Sequence, residues 1–264
     1  MSARENAVGI SMSLPEVDVL GVPITCLTSY REAVVHITHR IKTGDRLYCV
    51  AVNPVKVCNA QKSEPLSKIL KNAGLHICDG IGTALAVRLL HGRRICRITG
   101  VQLFFHLAEA AAQEGLSIFL LGASEESSEL AARNLLQKYP GLRIVGRHHG
   151  YYDNEAAIVD VINSARPDIL FVAMGSPKQE YWIAEHREQL RCPFIMGVGG
   201  TLDVASGRVK WAPAIFRRTG TEFLYRFSCQ PWRFKNLSSI LRFAFAVLRQ
   251  RFRIRSSARS PLAE

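Results

Sequence analysis

No apolar run approaches the roughly 18 residues needed to cross a bilayer, the strongest stretch being Asp168 to Met174, so a membrane-spanning helix is not expected. The N-terminus has neither a basic start nor an apolar core, Arg4 and Glu5 lying among polar residues. No secretory signal is expected there, and the chain is expected to work in the cytoplasm. The seven cysteines, Cys26, Cys49, Cys58, Cys78, Cys96, Cys192 and Cys229, are odd in number, scattered and without a C-x-x-C pair. That predicts reduced, mostly buried thiols and argues against a structural zinc site. The dinucleotide fingerprint G-x-G-x-x-G is missing, Gly197-x-Gly199-Gly200 being the nearest approach. A Walker lysine motif is missing too, so dehydrogenase and P-loop chemistry are both disfavoured. Acidic residues are scarce at one end only: residues 208–264 hold 13 basic and 2 acidic side chains, whereas residues 1–207 hold 21 and 20. The net charge of +12 therefore belongs to the C-terminal segment. A nucleic-acid-binding surface on the main body is disfavoured, and the tail is expected to meet something anionic.

What is present is a repeated rhythm of short aliphatic runs, each ending in Gly, Asn or Asp and followed by helical periodicity. This predicts an α/β fold with a Rossmann-like parallel sheet covered by helices on both faces. Strands are predicted at Leu47 to Val52, Leu75 to Cys78, Ser117 to Leu121, Leu142 to Val145, Asp168 to Met174 and Phe194 to Val198. Helices are predicted from Val55, over Ile81 to Leu90, Glu125 to Lys138 and Glu155 to Ala165, and from Lys178 through Leu190. Beyond Gly207 the pattern turns to aromatic, arginine-rich helix. Two units follow: a catalytic domain over 1–207 and a basic amphipathic appendage over 208–264.

Ligands of open parallel sheets sit off the carboxyl ends of the strands, which here bring forward Asn53, Asp79, Gly122, Gly175 to Glu180 and Gly199 to Asp203. Glycines such as Gly122 and Gly175 let backbone N–H groups at helix N-termini approach phosphate oxygens; each taken singly serves equally well as a tight strand-to-helix turn. A carboxylate at the position of Asp79 can accept a proton from a hydroxyl nucleophile. From spacing alone its more ordinary role is to cap the following helix. His148-His149 reads as a partly exposed polar pair, since adjacent strand residues do not point at one metal.

In the tail, Lys235, Arg242, Arg249 and Arg253 fall on one helical face, and Leu237, Ile240, Leu241, Phe243, Phe245, Val247, Leu248 and Phe252 cover the rest. Such a helix suits an anionic membrane surface, each basic side chain near the headgroups adding on the order of 1 kcal/mol. It suits docking on the body or a homo-oligomer interface as well.

A set of segments in fixed order carries a resemblance. Asn53-Pro54, Cys78-Asp79-Gly80, Arg97-Ile98-Thr99-Gly100, Phe119-Leu120-Leu121-Gly122, Tyr139-Pro140-Gly141-Leu142, His149-Gly150-Tyr151, Gly175-Ser176-Pro177-Lys178-Gln179-Glu180, Gly197-Val198-Gly199-Gly200 and Tyr225-Arg226-Phe227 resemble the WecG/TagA/CpsF glycosyltransferases over about residues 17–236. The resemblance implies the Rossmann-like GT-E fold and inverting, metal-independent transfer of a sugar from a UDP-sugar to a polyprenyl-diphosphate-linked sugar. That work belongs at the cytoplasmic face of the inner membrane, with the protein bound peripherally. No cofactor and no metal ligand are implied. Carried over by position, Asp79 is the general base, Asn53, Arg97 and Gln179 line the active site, and Arg226 and Arg233 reach the acceptor diphosphate. With the residues at the strand mouths, the candidate substrate-binding set is Asn53, Arg97, Gly122, Gly175, Lys178, Gln179, Glu180 and Asp203.

The chain departs from the family pattern at Ala51, where Thr is frequent, at Gln102, where Asp is common, at Trp211 and Phe223 within the R-A-P and E-W-L tripeptides, and at Asn236 in place of a tail arginine. These departures turn the expectation away from amino-sugar donors. The chain is most similar to the xanthan-type glucosyltransferases of the family, so glucose transfer from UDP-glucose to a glucosyl-diphosphopolyprenol, with a β-1,4 linkage in exopolysaccharide assembly, is expected. The alternatives are an N-acetylmannosamine or uronic-acid donor with an N-acetylglucosaminyl lipid, and a non-catalytic nucleotide-sugar-binding scaffold.

Overall fold

A computed structural model describes residues 14–152, 154–229 and 237–257. The chain opens with a hairpin, β1 (Glu16–Val19) and β2 (Val22–Thr25), paired antiparallel, and α1 (Tyr30–Lys42). Next come β3 (Leu47–Val52), α2 (Pro54–Lys62), α3 (Glu64–Lys71), β4 (Leu75–Cys78), α4 (Ile81–His91) and α5 (Gly100–Glu114). The second half runs β5 (Ser117–Gly122), α6 (Glu125–Lys138), β6 (Arg143–His148), α7 (Glu155–Ala165), β7 (Ile169–Ala173), α8 (Lys178–His186), β8 (Phe194–Gly197) and α9 (Thr201–Ala205). Three helices follow the body: α10 (Ala214–Thr219), α11 (Glu222–Cys229) and α12 (Leu237–Ser257).

Six strands form one sheet in the order β4-β3-β8-β7-β5-β6, and every neighbouring pair is parallel. Every residue of β3, β4, β5, β7 and β8 is buried, as strands covered on both faces require. Because successive strand side chains point to opposite faces, Tyr48, Val50 and Val52 enter one core with residues of α2, α3, α4, α7, α8 and α12. Leu47, Cys49 and Ala51 enter the other with residues of α1, α5, α6 and α9. All expected strands and helices form, several with the expected bounds and the others moved by up to four residues; β6, for example, runs on to His148, and α8 ends at His186.

Capping fixes where the helices start. Asn53, Thr99, Ser124 and Asn154 each accept a hydrogen bond from a first-turn N–H of the helix they open. Gly92 and Gly115 close α4 and α5 in the left-handed conformation. The six cysteines whose side chains are described are free, and burial pushes Cys49, Cys78 and Cys192 up to about 12.

The segment after Gly207 does not stand apart from the body. α12 lies against α2 and α4, where Phe243 and Val247 join the core of that face and Cys58 Sγ donates to the Ser239 carbonyl oxygen at 3.2 Å. Its opposite flank exposes Leu237, Leu241, Phe245, Leu248 and Phe252, which recur at helical spacing as one stripe. Leu85 and Leu89 of the adjoining α4 are exposed as well. No helix among the described residues is long and apolar enough to cross a membrane.

Candidate active site

The strand order sets the candidate residues along one edge of the sheet. Asp79 follows β4, Asn53 follows β3, Gly199 follows β8, Gly175 follows β7 and Gly122 ends β5, so all five loops lie at the carboxyl side of neighbouring strands. The Asp79 N–H donates to the Val52 carbonyl oxygen at 2.9 Å and the Ile98 N–H to that of Cys78 at 2.9 Å. These two bonds bring Asp79, Asn53 and Arg97 to one place.

Asp79 is half-buried and is not the cap of α4. That position belongs to Gly80, at φ +104° and with no side chain to offer. The spacing-based expectation of a cap gives way here, because the chain needs a positive φ at the residue after the carboxylate, which glycine supplies. Tyr30 completes the group. Its pKa is raised by burial, and it feels the charges of both Arg97 and Asp79. Its hydroxyl accepts from the Thr99 N–H at 2.8 Å and donates to Gln102 Oε1.

Arg97 is held from the C-terminal segment. Its Nη1 donates to Glu222 Oε1 at 3.2 Å and its Nη2 to the Arg217 carbonyl oxygen, with both Arg97 and Glu222 largely buried. Gly220 passes so close that a Cβ there would stand 3.1 Å from Ile81 and 3.4 Å from Arg97 Nε. The turn between α10 and α11 therefore packs over the Asp79 end of the edge.

At the middle of the edge, Gln179 is 3% exposed and Glu180 1%. Glu180 Oε1 accepts from Lys56 Nζ at 2.7 Å and Gln179 Nε2 at 2.9 Å, and Gln179 Oε1 accepts from the Gly199 N–H at 2.8 Å. Glu180, placed with the substrate-binding residues on sequence grounds, thus points inward to Lys56. Lys178 is exposed in the first turn of α8, and Gly175, at φ +79°, has open space where a side chain would stand. Asp203 lies in the first turn of α9, partly exposed, its carbonyl oxygen accepting from the Val209 N–H at 3.0 Å.

Gly122 has a packing reason of its own. A Cβ there would meet the Ala173 carbonyl oxygen at 2.4 Å, so the ends of β5 and β7 pack too closely for any side chain. The acceptor-diphosphate candidates are only partly placed: Arg226 belongs to α11 with its side chain outside the described residues, and Arg233 lies outside them altogether. Among the described residues, one group of His and carboxylate side chains, Glu155, Glu185 and His186, brings ligand atoms within 4.8 Å of one another; it contains none of the candidates.

Tyr30, Lys56 and Glu222 were not among the sequence candidates. Lys56 carried a signal, because a cation in the first turn of a helix opposes the macrodipole unless a carboxylate meets it. Glu222 carried another as one of only two acids in the basic segment. Tyr30 sits within Ser29-x-x-Glu32, a helix-start pattern that marks the start of α1 but says nothing of the fate of the phenol.

Three of the departures from the family pattern are taken up by packing, whereas Phe223 is exposed and Asn236 lies outside the described residues. Gln102 accepts from Tyr30, Trp211 stacks on Phe105 at 4.9 Å with the Arg217 guanidinium 4.4 Å above its ring, and Ala51 is buried in β3 facing Gly100.

Residues 17–257 match the Glycosyl transferase WecG/TagA/CpsF family. Two similar proteins are the N-acetylglucosaminyldiphosphoundecaprenol N-acetyl-beta-D-mannosaminyltransferases of Staphylococcus aureus strains MRSA252 and NCTC 8325. Each is 33% identical over 249 residues, covering 92% of this chain and 96% of the relative. A match over nearly the whole chain, on a parallel sheet whose strand ends gather the motif residues, makes this protein a member of the WecG/TagA/CpsF family and a glycosyltransferase.

Proposed function

We propose that the protein transfers an N-acetylmannosamine-type sugar from its UDP-activated form to an N-acetylglucosaminyl-diphosphopolyprenol. The relatives named for that reaction support this donor and acceptor over the glucose transfer expected from sequence departures. Since Gln102, Trp211 and Ala51 have partners within the fold, they give little reason to change the sugar.

The observation that carries the mechanism is the position of Asp79 at the mouth of β4, with the cap taken by Gly80 and with Arg97 and Tyr30 beside it. In this mechanism the acceptor hydroxyl loses its proton to Asp79 as its oxygen forms a bond to C1 of the donor sugar. The bond from C1 to the diphosphate oxygen breaks on the opposite side, its electron pair leaving with UDP, so the anomeric centre inverts. Negative charge grows on the leaving diphosphate. Helix N-termini such as that of α8, together with Lys178, supply N–H dipoles and positive charge without reorganising at the moment of reaction. No metal ion is assigned a part. Arg226 and Arg233 are assigned to the acceptor diphosphate, and the exposed stripe of α12 with Arg242, Arg249 and Arg253 to an anionic membrane surface.

The test is transfer of labelled sugar from UDP-N-acetylmannosamine and from UDP-glucose to N-acetylglucosaminyl- and glucosyl-diphospholipids, in EDTA. The expected result is amino-sugar transfer to the N-acetylglucosaminyl lipid alone. Transfer of glucose alone would replace this donor with the glucosyl reading.

A further inference from the structure

One buried chain of polar contacts ties three strand ends together, and the chemistry above does not use it. Lys56 is 5% exposed in the first turn of α2, the helix capped by Asn53. Its Nζ meets Glu180 Oε1 at 2.7 Å. The same oxygen takes the Gln179 amide nitrogen at 2.9 Å, while Oε2 is buried without a hydrogen-bond partner. With its nitrogen committed there, the Gln179 amide can only present Oε1 to the Gly199 N–H, 2.8 Å away. Gln179 also lies across the end of β8, where a Cβ on Gly197 would come within 2.5 Å of Nε2 and 3.2 Å of Cγ. The loops after β3, β7 and β8, three adjacent strands, therefore share one set of hydrogen bonds.

As a device for stability the ion pair is a poor choice. Removing two charges from water roughly cancels their attraction, and apolar residues of similar volume often serve as well or better. An apolar pair would not orient an amide. We infer that Lys56 is a positioning residue of the glycosyl-transfer site: through Glu180 it sets the orientation of the Gln179 amide, and through that amide the loop of Gly199 between Asn53 and the N-terminus of α8. The inference rests on the reading of this edge as the transfer site.

The charges around Glu180 give the inference a signature. Burial pushes the Glu180 carboxyl up, but the Lys56 ammonium and the hydrogen bonds from Lys56 and Gln179 outweigh burial, and the carboxyl ends below its ordinary range. The other ionisable group facing it is the Tyr48 phenol of β3, driven well above its ordinary value by burial and then by the Glu180 charge. β7 and β8 carry no ionisable side chain, and Glu64, Lys68 and Lys71 of α3 are exposed. Glu180 thus has its buried charge met within the fold only while Lys56 is present. In Lys56→Met the ionised carboxylate has no cation, is drawn toward water and releases Gln179 Nε2; it takes up a proton at higher pH than in wild type, and the neutral carboxyl then still offers its C=O oxygen to that amide.

The experiment compares wild type, Lys56→Met and the double variant Lys56→Met/Glu180→Gln in full-length protein. It reads kcat and KM for transfer from pH 5.5 to 9, UDP affinity by calorimetry and hydrogen exchange at the Gly199 amide. Lys56→Met should lower kcat/KM about tenfold or more at the alkaline end of this range, with the loss shrinking as pH falls and the carboxyl takes up its proton, and should speed Gly199 exchange by a similar factor. The double variant puts a neutral acceptor at Oε1 and should recover activity to within about threefold of wild type while abolishing that pH dependence. A folded Lys56→Met with wild-type kcat/KM and pH profile overturns the inference even if its melting temperature falls. A double variant as impaired as the single one at every pH overturns it too. If wild type transfers neither sugar, the donor reading fails separately. Gly199 exchange and the pH dependence of UDP affinity then decide: both altered in Lys56→Met uphold the inference, and either unchanged overturns it.

Discussion

The body and the C-terminal segment treat apolar side chains in opposite ways. In the body, Phe104, Phe119, Phe171 and Phe194 are fully buried, and five of the six sheet strands are buried end to end. Among the described side chains of α12 only Phe243 and Val247 are buried, while Phe245 is 70% exposed and Leu241 and Phe252 nearly as much; α10 buries none of its residues. Charge divides along the same line, near balance before residue 208 and strongly positive after it. The first region buries its apolar side chains on both faces of the sheet; the second leaves apolar and basic groups facing outward.

Four measurements would break or sharpen that contrast. The largest difference is expected in stability. Phe171→Ala should cost about 3–5 kcal/mol in chemical denaturation, whereas Phe245→Ala should stay within about 0.5 kcal/mol of wild type; equal losses would mean that the α12 stripe is core after all. Next, the chemistry should sit wholly in the body. Asp79→Asn is expected to lower kcat about a hundredfold or more while UDP affinity stays near normal, and an active variant would leave Asp79 without a catalytic part. Smaller again, Leu241→Ser/Phe245→Ser/Phe252→Ser should reduce co-sedimentation with anionic vesicles by about tenfold, since each buried apolar side chain contributes about 1.5–3 kcal/mol when fully withdrawn from water and shallow insertion recovers only part of that. These substitutions test the contact more cleanly than removal of 208–264, which would also strip Phe243 and Val247 from the core. The smallest effect is that of salt: raising it from about 0.05 to 0.5 M should weaken vesicle binding several-fold by screening Arg242, Arg249 and Arg253, exposed charges being screened over about 8 Å at physiological ionic strength. Binding indifferent to salt would remove the arginines from the contact.

The sheet was legible because every central strand is a short aliphatic run stopped by Gly, Asn or Asp, and the motif loops follow those stops directly. The hairpin of β1 and β2 was not, as four-residue strands with Asp18 and Pro23 inside them give no alternation long enough to read. α5 was missed because its Gly100 start and its buried Leu103, Phe104, Leu107, Ala108 and Ala111 blur the boundary with the strand that follows. At the site, Asn53, Asp79 and Gln179 were legible as residues just past strands, yet their partners were not. Lys56 and Glu180 stand 124 positions apart and Arg97 and Glu222 125. Only the order of the strands brings such pairs together, and a linear pattern does not state it. Glu180 shows the converse: its place in a motif loop suggested contact with substrate, while α8 turns it inward.

The docking of α12 also says something about how the chain is made. Cys58 and Ser239, 181 positions apart, meet across the face where Phe243 and Val247 close a core begun by Val19, Val22 and Ile24. During synthesis, which proceeds from the N-terminus at roughly 5–20 residues per second, α2 and α4 wait uncovered until α12 has emerged. For that interval the growing polypeptide shows an apolar groove shaped for its own unfinished end.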